Sequence, residues 1–359
     1  MKKIAVMTAG GDCPGLNSVI RAVVLSAAAK SMEVVGVLDG FIGFCEGKYM
    51  KLDKKTVEDI ESLGGTMLGS SNKEAPFRYP SKTSPGEYED KVEWGVKNLK
   101  KNGVEALMVI GGDGSLDSAR MIDEAGMPTV GVPKTIDNDM VASDPTIGFS
   151  TAVENVVEAI GKLKTTAYSH RRVMVVEIMG RTSGYLTLHG GFSAGADVIL
   201  LPEIEYDLSA VAEKVKAIMK GGKRYVVVAV SEAAKEVGGE EVVSRIVADS
   251  FESKRYGGVG AKLAHELEVL TGHEARATVL GHTQRGGAPN AFDIMLGAKL
   301  GSYAFDLVVS GESGVIVGVE AGRLTKMKYP KTREARLLDV GKDDLMRTAR
   351  DMGVFFGVS

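Results

Sequence analysis

Short runs of Val, Ile, Leu and Met recur along the chain, each stopped by glycine or a polar cluster. Their apolar character is continuous rather than alternating, which predicts strands buried on both faces. The runs cover residues 4–9, 34–38, 106–110, 129–132, 173–178, 225–230 and 278–280. Between most of them the pattern turns helical, over 17–30, 89–101, 115–124, 151–164 and 208–220. Strand then helix, repeated, predicts an α/β chain with doubly wound, largely parallel sheets.

Open α/β sheets bind ligands at the carboxyl ends of their strands, so the residues just after each run are the first candidates for a site. In the first half they are Gly10-Gly11-Asp12, Gly111-Gly112-Asp113-Gly114-Ser115 and Pro133-Lys134-Thr135-Ile136-Asp137-Asn138-Asp139. The second half adds Met179-Gly180-Arg181, Ser231-Glu232 and Gly281-His282-Thr283-Gln284-Arg285-Gly286-Gly287.

Composition narrows the class. A chain of 359 residues exceeds one compact core and fits two lobes with a cleft between them. Hydrophobic residues at 44% and charged residues at 25% are ordinary for a globular protein, whereas 45 glycines supply the close backbone approaches that phosphate-binding loops need. The net charge of -3, with Lys and Arg dispersed, gives no footprint for nucleic acid. Cys13 and Cys45 form neither a zinc site nor a disulfide framework. The start Met1-Lys2-Lys3 and the absence of a long apolar stretch lead us to expect a cytoplasmic protein without a membrane partner. The Glu- and Lys-rich stretch 233–271 reads as a surface helical insertion.

The chemistry concentrates in two loops. Glycines where a strand turns into a helix leave backbone amides open to phosphate oxygens, and Asp113 among them suits a Mg²⁺ that keeps most of its waters. A tight turn capped by Asp113 uses the same residues. In Thr135-Ile136-Asp137-Asn138-Asp139, two carboxylates beside a hydroxyl suit a site where Asp137 takes a proton from an attacking alcohol while Asp139 orients charge or metal; a polar turn is the bland alternative. Arg172, Arg181, Arg276 and Arg285 lie beside strand ends, where guanidinium groups could clamp phosphate, with Glu232 and His282 near them. No Gly-x-x-x-x-Gly-Lys-Ser/Thr motif occurs and no good Gly-x-Gly-x-x-Gly follows the first strand, which excludes a P-loop NTPase and weakens a dinucleotide-dependent dehydrogenase.

Taken in order, these motifs resemble the ATP- and pyrophosphate-dependent 6-phosphofructokinases through nearly the whole chain. The resemblance implies a glycolytic kinase with a donor lobe over 1–147 plus 286–336. It implies a sugar-phosphate lobe over 148–285 plus 337–359, with the active site in the cleft between them. It assigns donor binding to Gly11, Asn72, Lys73, Gly112, Asp113, Gly114 and Ser115, and Mg²⁺ to Asp113. Fructose 6-phosphate falls to Thr135, Ile136, Asp137, Met179, Gly180, Arg181, Glu232, His282, Thr283, Gln284 and Arg285. Arg172 and Arg276 are implied to reach across from a neighbouring subunit of a homodimer or homotetramer. Catalysis rests on Asp137, Thr135, Arg181, Asp139 and Lys134.

The donor is argued from two residues. Gly114 leaves room for a nucleotide's α-phosphate, where a carboxylate would crowd and repel it, whereas Lys134 is typical of pyrophosphate users. Gly114 decides for ATP. Ser71-Asn72-Lys73 stands where bacterial ATP enzymes place an arginine, so Lys73 or Arg78 is expected to substitute. Arg21 and Lys223 remain of the basic cluster of regulated members, but Leu25 breaks it. Two other readings stay open: a different kinase with a Gly-Gly-Asp-Gly loop acting on NAD or lipid, and a non-catalytic sugar-phosphate sensor.

Overall fold

The computed structural model describes residues 1–72, 75–81, 83–84, 86–246, 254–332 and 335–358. The first part of the chain forms β1 (Lys3–Thr8), α1 (Leu16–Ala29), β2 (Glu33–Val37), α2 (Phe41–Glu46), β3 (Tyr49–Leu52), β4 (Tyr79–Pro80) and β5 (Tyr88–Glu89). There follow α3 (Val92–Lys101), β6 (Ala106–Gly111), α4 (Asp113–Glu124), β7 (Thr129–Pro133), α5 (Phe149–His170), β8 (Val173–Ile178), α6 (Tyr185–Ser193) and β9 (Val198–Leu200). The remainder is α7 (Leu208–Lys220), β10 (Val226–Ser231), β11 (Val243–Ile246), β12 (Lys254–Tyr256), α8 (Val259–Thr271), β13 (Ala275–Val279), α9 (Ala291–Val309), β14 (Val315–Glu320), β15 (Arg323–Lys328) and α10 (Asp344–Asp351).

Two sheets organise these elements. One has seven strands in the order β15-β14-β7-β6-β1-β2-β3, the other four in the order β13-β8-β10-β9. The four-stranded sheet is parallel throughout, and in the larger one only the outermost strands, β3 and β15, run antiparallel. β6, β7, β8 and β10 are buried at every residue, as their unbroken apolar sequences require of strands covered on both faces. The largest apolar cluster joins Val19 and Val23 of α1, Leu300 and Ala304 of α9, Val156 and Ile160 of α5, and Leu186 of α6, so the lobes share a core. α1 and α9 approach closely because Gly297 and Gly301 carry no side chain; a Cβ at Gly301 would sit 2.8 Å from the Val19 carbonyl oxygen. No helix among the described residues is long and apolar enough to cross a membrane.

The predicted strands and helices all occur, most within a residue or two of the expected ends, while α5 runs on to His170. The 233–271 stretch departs from the surface insertion expected. Its second half is α8, which buries Val259, Leu263, Ala264 and Leu267 against the four-stranded sheet. The apolar spacing within an acidic, lysine-rich stretch marks a packed face and not a free helix.

Candidate active site

Both sheets turn the carboxyl ends of their strands toward one cleft of ≈ 680 Å³. The first lobe supplies a wall made largely of backbone. After β1 the chain turns at Gly10, φ 82°, a conformation glycine adopts without a Cβ penalty. The Gly10 amide donates to the Ser71 carbonyl at 2.9 Å, and its own carbonyl accepts from Ser70 Oγ at 2.6 Å. A Cβ at Gly10 would lie 3.1 Å from Ser115 Oγ and 3.3 Å from Lys134 Nζ, so the turn is packed from both sides. Gly112 starts α4 in extended backbone with no side-chain cap, which leaves the first amides of the helix facing the cleft beside Asp113, Gly114 and Ser115.

Lys134, only 4% exposed, donates its ammonium to the Gly11 carbonyl. Burial is the main cause that lowers its pKa to about 8, with Arg285 and Arg181 adding repulsion while Cys13 and Asp137 oppose the shift. Asn72 lines the same wall. Lys73 lies outside the described residues, and Arg78 stacks on the Tyr88 ring at 4.2 Å without lining the cleft.

The loop after β7 carries the acids. Asp137 is wholly buried, and its two carboxylate oxygens make no hydrogen bond to any described residue. Its ion-pair partner is Arg181, whose Nε lies 3.4 Å from Oδ2, close enough for charge attraction but outside hydrogen-bond geometry. Thr135, at the cleft, accepts the Asp137 amide on its hydroxyl at 3.1 Å and so shapes the turn. Asn138 sits at φ 53°, a left-handed conformation held by its side chain, which accepts from the Thr146 amide at 3.0 Å and lies 3.2 Å from its hydroxyl. Asp139 is pushed up to about 7, first by burial, then by the charges of Asp137 and Asp113, with Arg181 opposing. No cluster of three ligating side chains occurs among the described residues; Asp113 beside the glycine loop fits a Mg²⁺ that takes one or two carboxylates and completes its shell with phosphate and water.

The second lobe builds its wall from side chains and from buried groups that hold them. Gly180 at φ 142° and Arg181 at φ 51° form a sharp turn after β8. Glu232 stabilises it, one carboxylate oxygen accepting the Gly180 amide at 3.3 Å and the Arg181 amide at 3.0 Å. Desolvation raises the Glu232 pKa, and those two amides pull it back. Gln284 is fully buried: it accepts the Met179 amide at 3.3 Å and donates to the Gly281 carbonyl at 3.0 Å. His282 lines the cleft, and Arg285 crosses it to donate to the Asp12 carbonyl at 3.2 Å.

Some expected sugar contacts are placed otherwise. Ile136 belongs to the apolar core and Gln284 to the scaffold, while the Thr283 hydroxyl is bonded to the Leu280 carbonyl at 2.6 Å. Arg172 precedes β8 and Arg276 is near the start of β13, about 20 Å and about 10 Å along their strands from the cleft ends. Arg172 pairs with Glu274 at 2.9 Å and Arg276 with Glu274 at 2.6 Å, so neither reaches this chain's own cleft.

Other residues were missed. Glu177 is 3% exposed, lines the cleft, and accepts the Gly258 and Gly260 amides at the start of α8, at 3.1 and 2.8 Å. Ser244, Tyr256 and Gly257 of the β11–β12 hairpin line the same side. A lone carboxylate inside the apolar run of β8 was the available signal; nothing in the hairpin's sequence marks it for the cleft.

The phosphofructokinase family model matches residues 3–308. An ATP-dependent 6-phosphofructokinase 2 of Clostridium perfringens (strain 13 / Type A) is 45% identical over 99% of this chain and 98% of its own length. A pyrophosphate–fructose 6-phosphate 1-phosphotransferase of Dictyoglomus thermophilum is 43% identical over 90% of each. Among solved structures, the phosphofructokinase of Saccharomyces cerevisiae superposes with a TM-score of 0.79 at 30% identity, over 92% of this chain, which spans only 45% of the yeast chain. The pyrophosphate-dependent phosphofructokinase of Marinobacter aquaeolei shares the fold, with a TM-score of 0.80 at 19% identity over 100% of this chain and 93% of its own. Matched by the family model over most of its length and by a relative across nearly all of it, the chain belongs to the phosphofructokinase family.

Proposed function

We propose that the chain phosphorylates the 1-hydroxyl of fructose 6-phosphate from MgATP, giving fructose 1,6-bisphosphate and ADP. One observation carries this reading: directly behind the cleft lining, paired with Arg181 at its surface, Asp137 holds a buried carboxylate whose oxygens accept no hydrogen bond among the described residues, between a glycine-lined phosphate wall and a wall of cations. Unpaired buried acceptors are rare, and at a cleft they mark a group waiting for a proton donor. The sugar alcohol is that donor. Asp137 accepts its proton as the oxygen attacks the terminal phosphorus, and the ADP oxygen leaves on the opposite side.

Arg181 then stands where negative charge spreads over the transferring group, with Lys134 reinforcing it from the donor wall. Mg²⁺, held by Asp113 together with the donor's phosphates, would neutralise charge on the leaving side. Gly11, Asn72 and the Gly112–Ser115 loop cradle the donor. Met179, Gly180, Arg181, His282 and Arg285 receive the sugar phosphate, with Glu232 shaping their loop. Arg172 and Arg276 serve a neighbouring subunit's cleft, which the exposed outer face of the edge strand β13 leaves accessible. The donor lobe then comprises 1–147 and 286–336, and the acceptor lobe 148–285 and 337–359.

The second reading is a pyrophosphate-dependent, reversible transferase, favoured by the Lys134 ammonium in the phosphate wall. Two relatives of nearly equal identity do not separate the donors. Gly114 does, because a nucleotide needs the space that a side chain there would fill. Turnover of fructose 6-phosphate with ATP, ADP and pyrophosphate in parallel tests the choice. Efficient turnover with pyrophosphate and none with ATP would reverse it.

A further inference from the structure

Residues 335–338 cross between the lobes behind the reaction centre. Ala335 pairs with Met140 in an antiparallel bridge, and the Arg336 amide donates to the Asp139 carbonyl at 2.6 Å. Through Nη2 the Arg336 side chain donates to the Asn138 carbonyl at 2.8 Å and to the Asp144 carbonyl at 2.7 Å. Its guanidinium also lies over the Tyr185 ring, 5.0 Å from the centroid. Tyr185, the first residue of α6, donates its hydroxyl to the Leu337 carbonyl at 3.4 Å. One residue on, the Leu338 amide shares Glu203 Oε1 with the Gly184 amide, at 3.2 and 2.8 Å.

This strap therefore grips two backbone segments at once. On one side are the carbonyls of the two residues that follow Asp137. On the other is the start of α6, four residues after Arg181. Ser183 closes the gap by donating its hydroxyl to the Asp137 carbonyl at 3.4 Å.

The Asp137 carboxylate accepts no hydrogen bond among the described residues, so beside the pull of Arg181 its aim is set by the backbone beneath it. That backbone includes a left-handed Asn138, and a rotation of the peptide after it would swing the carboxylate away from Arg181. The Arg336 guanidinium restrains this peptide through its carbonyl and the Arg336 amide holds the next one, and only a planar guanidinium can fork to two carbonyls while lying flat on a ring.

We propose that Arg336 is a positioning residue for phosphoryl transfer: by fixing the Asn138 and Asp144 carbonyls to the Tyr185 face of α6 through its guanidinium, it registers the base against Arg181 across the lobes. It does not line the cleft. The inference rests on Asp137 being the base, and Asp137→Asn tests that separately: retained turnover would remove the base reading, whereas a dead D137N beside a normal R336A would remove only the positioning role.

The test measures kcat, KM for fructose 6-phosphate and thermal stability of full-length Arg336→Ala, with and without millimolar guanidinium or methylammonium. We expect kcat to fall about 10- to 100-fold, the scale of a misplaced catalytic group. KM should stay within about threefold, and guanidinium, but not methylammonium, should restore turnover. A folded R336A with normal kcat, or a loss that guanidinium leaves unchanged, overturns the proposal. Should R336A fail to fold, Tyr185→Leu decides. Lowered kcat at unchanged KM and melting temperature supports positioning, and full activity makes Arg336 merely structural.

Discussion

The two walls of the cleft are built by opposite means. The donor wall is backbone: Gly10, Gly11, Gly112 and Gly114 bring main-chain atoms to the surface, and its chief side-chain cation, Lys134, is tied to the Gly11 carbonyl. The acceptor wall is side chain, with Arg181, His282 and Arg285 facing the space while Glu232 and Gln284 hold the turns beneath them. With the walls assigned as proposed, donor selection would depend on what is missing, and acceptor selection on what is present. Adding atoms should damage the first wall, and removing them the second.

The largest effect should come where the walls meet. Asp137→Ala should lower kcat by about 10²–10⁴-fold, the usual contribution of a positioned base, with KM for the sugar changed only a few-fold. Steady-state kinetics would contradict this if kcat stayed near normal. Next, Gly114→Asp fills the donor wall. Its kcat/KM with ATP should fall roughly 100-fold, about 2.7 kcal/mol, and with pyrophosphate far less. Equal losses with both donors would mean that space at this position does not select the nucleotide.

On the acceptor wall, Glu232→Ala should raise KM for fructose 6-phosphate about tenfold, because two amides lose a charged acceptor. Glu232→Gln keeps an oxygen there and should stay within about threefold of the parent. If Gln is as damaging as Ala, the carboxylate's charge matters more than its hydrogen bonds.

The smallest effect is on stability. Asp139 has its pKa raised from 3.8 to about 7, so the folded protein holds this proton where the unfolded chain has released it. Stability from this group is therefore complete at low pH and falls as pH rises from about 4 through about 7. Asp139→Asn should raise the melting temperature of the ligand-free protein more at pH 8 than at pH 5. Equal shifts at the two pH values would exclude it as the source.

How much of this the sequence reveals follows from burial. Parallel strands covered on both faces advertise themselves as unbroken apolar runs; all seven predicted runs fall on strands, although the last lies on the exposed edge strand β13. β15 escaped notice because Arg323–Lys328 is half polar, and α9 because Gly297 and Gly301 interrupt its pattern, whereas β14 is an apolar run that carried the signal. In the site, residues directly after strands were legible as a group, and Asp137, Arg181, Asp113, His282 and Arg285 do converge. What could not be read is which members face the cleft. Gln284 follows two exposed residues in its motif and Ile136 lies in a loop buried throughout, yet both point inward. Glu177 serves a helix more than eighty residues away, a pairing that only the folded chain brings about.

Asp293 shows the same arrangement at larger scale. α5 begins at Gly148, which has no side chain to cap it, and the amides of Gly148 and Thr151 are taken by the Asp293 carboxylate of α9 at 2.9 and 2.8 Å. The start of a long helix in the acceptor lobe is thus written in a segment assigned to the donor lobe. A gene cut between those segments would separate α5 from the carboxylate that caps it, while α9 would keep Asn290 for its own first turn.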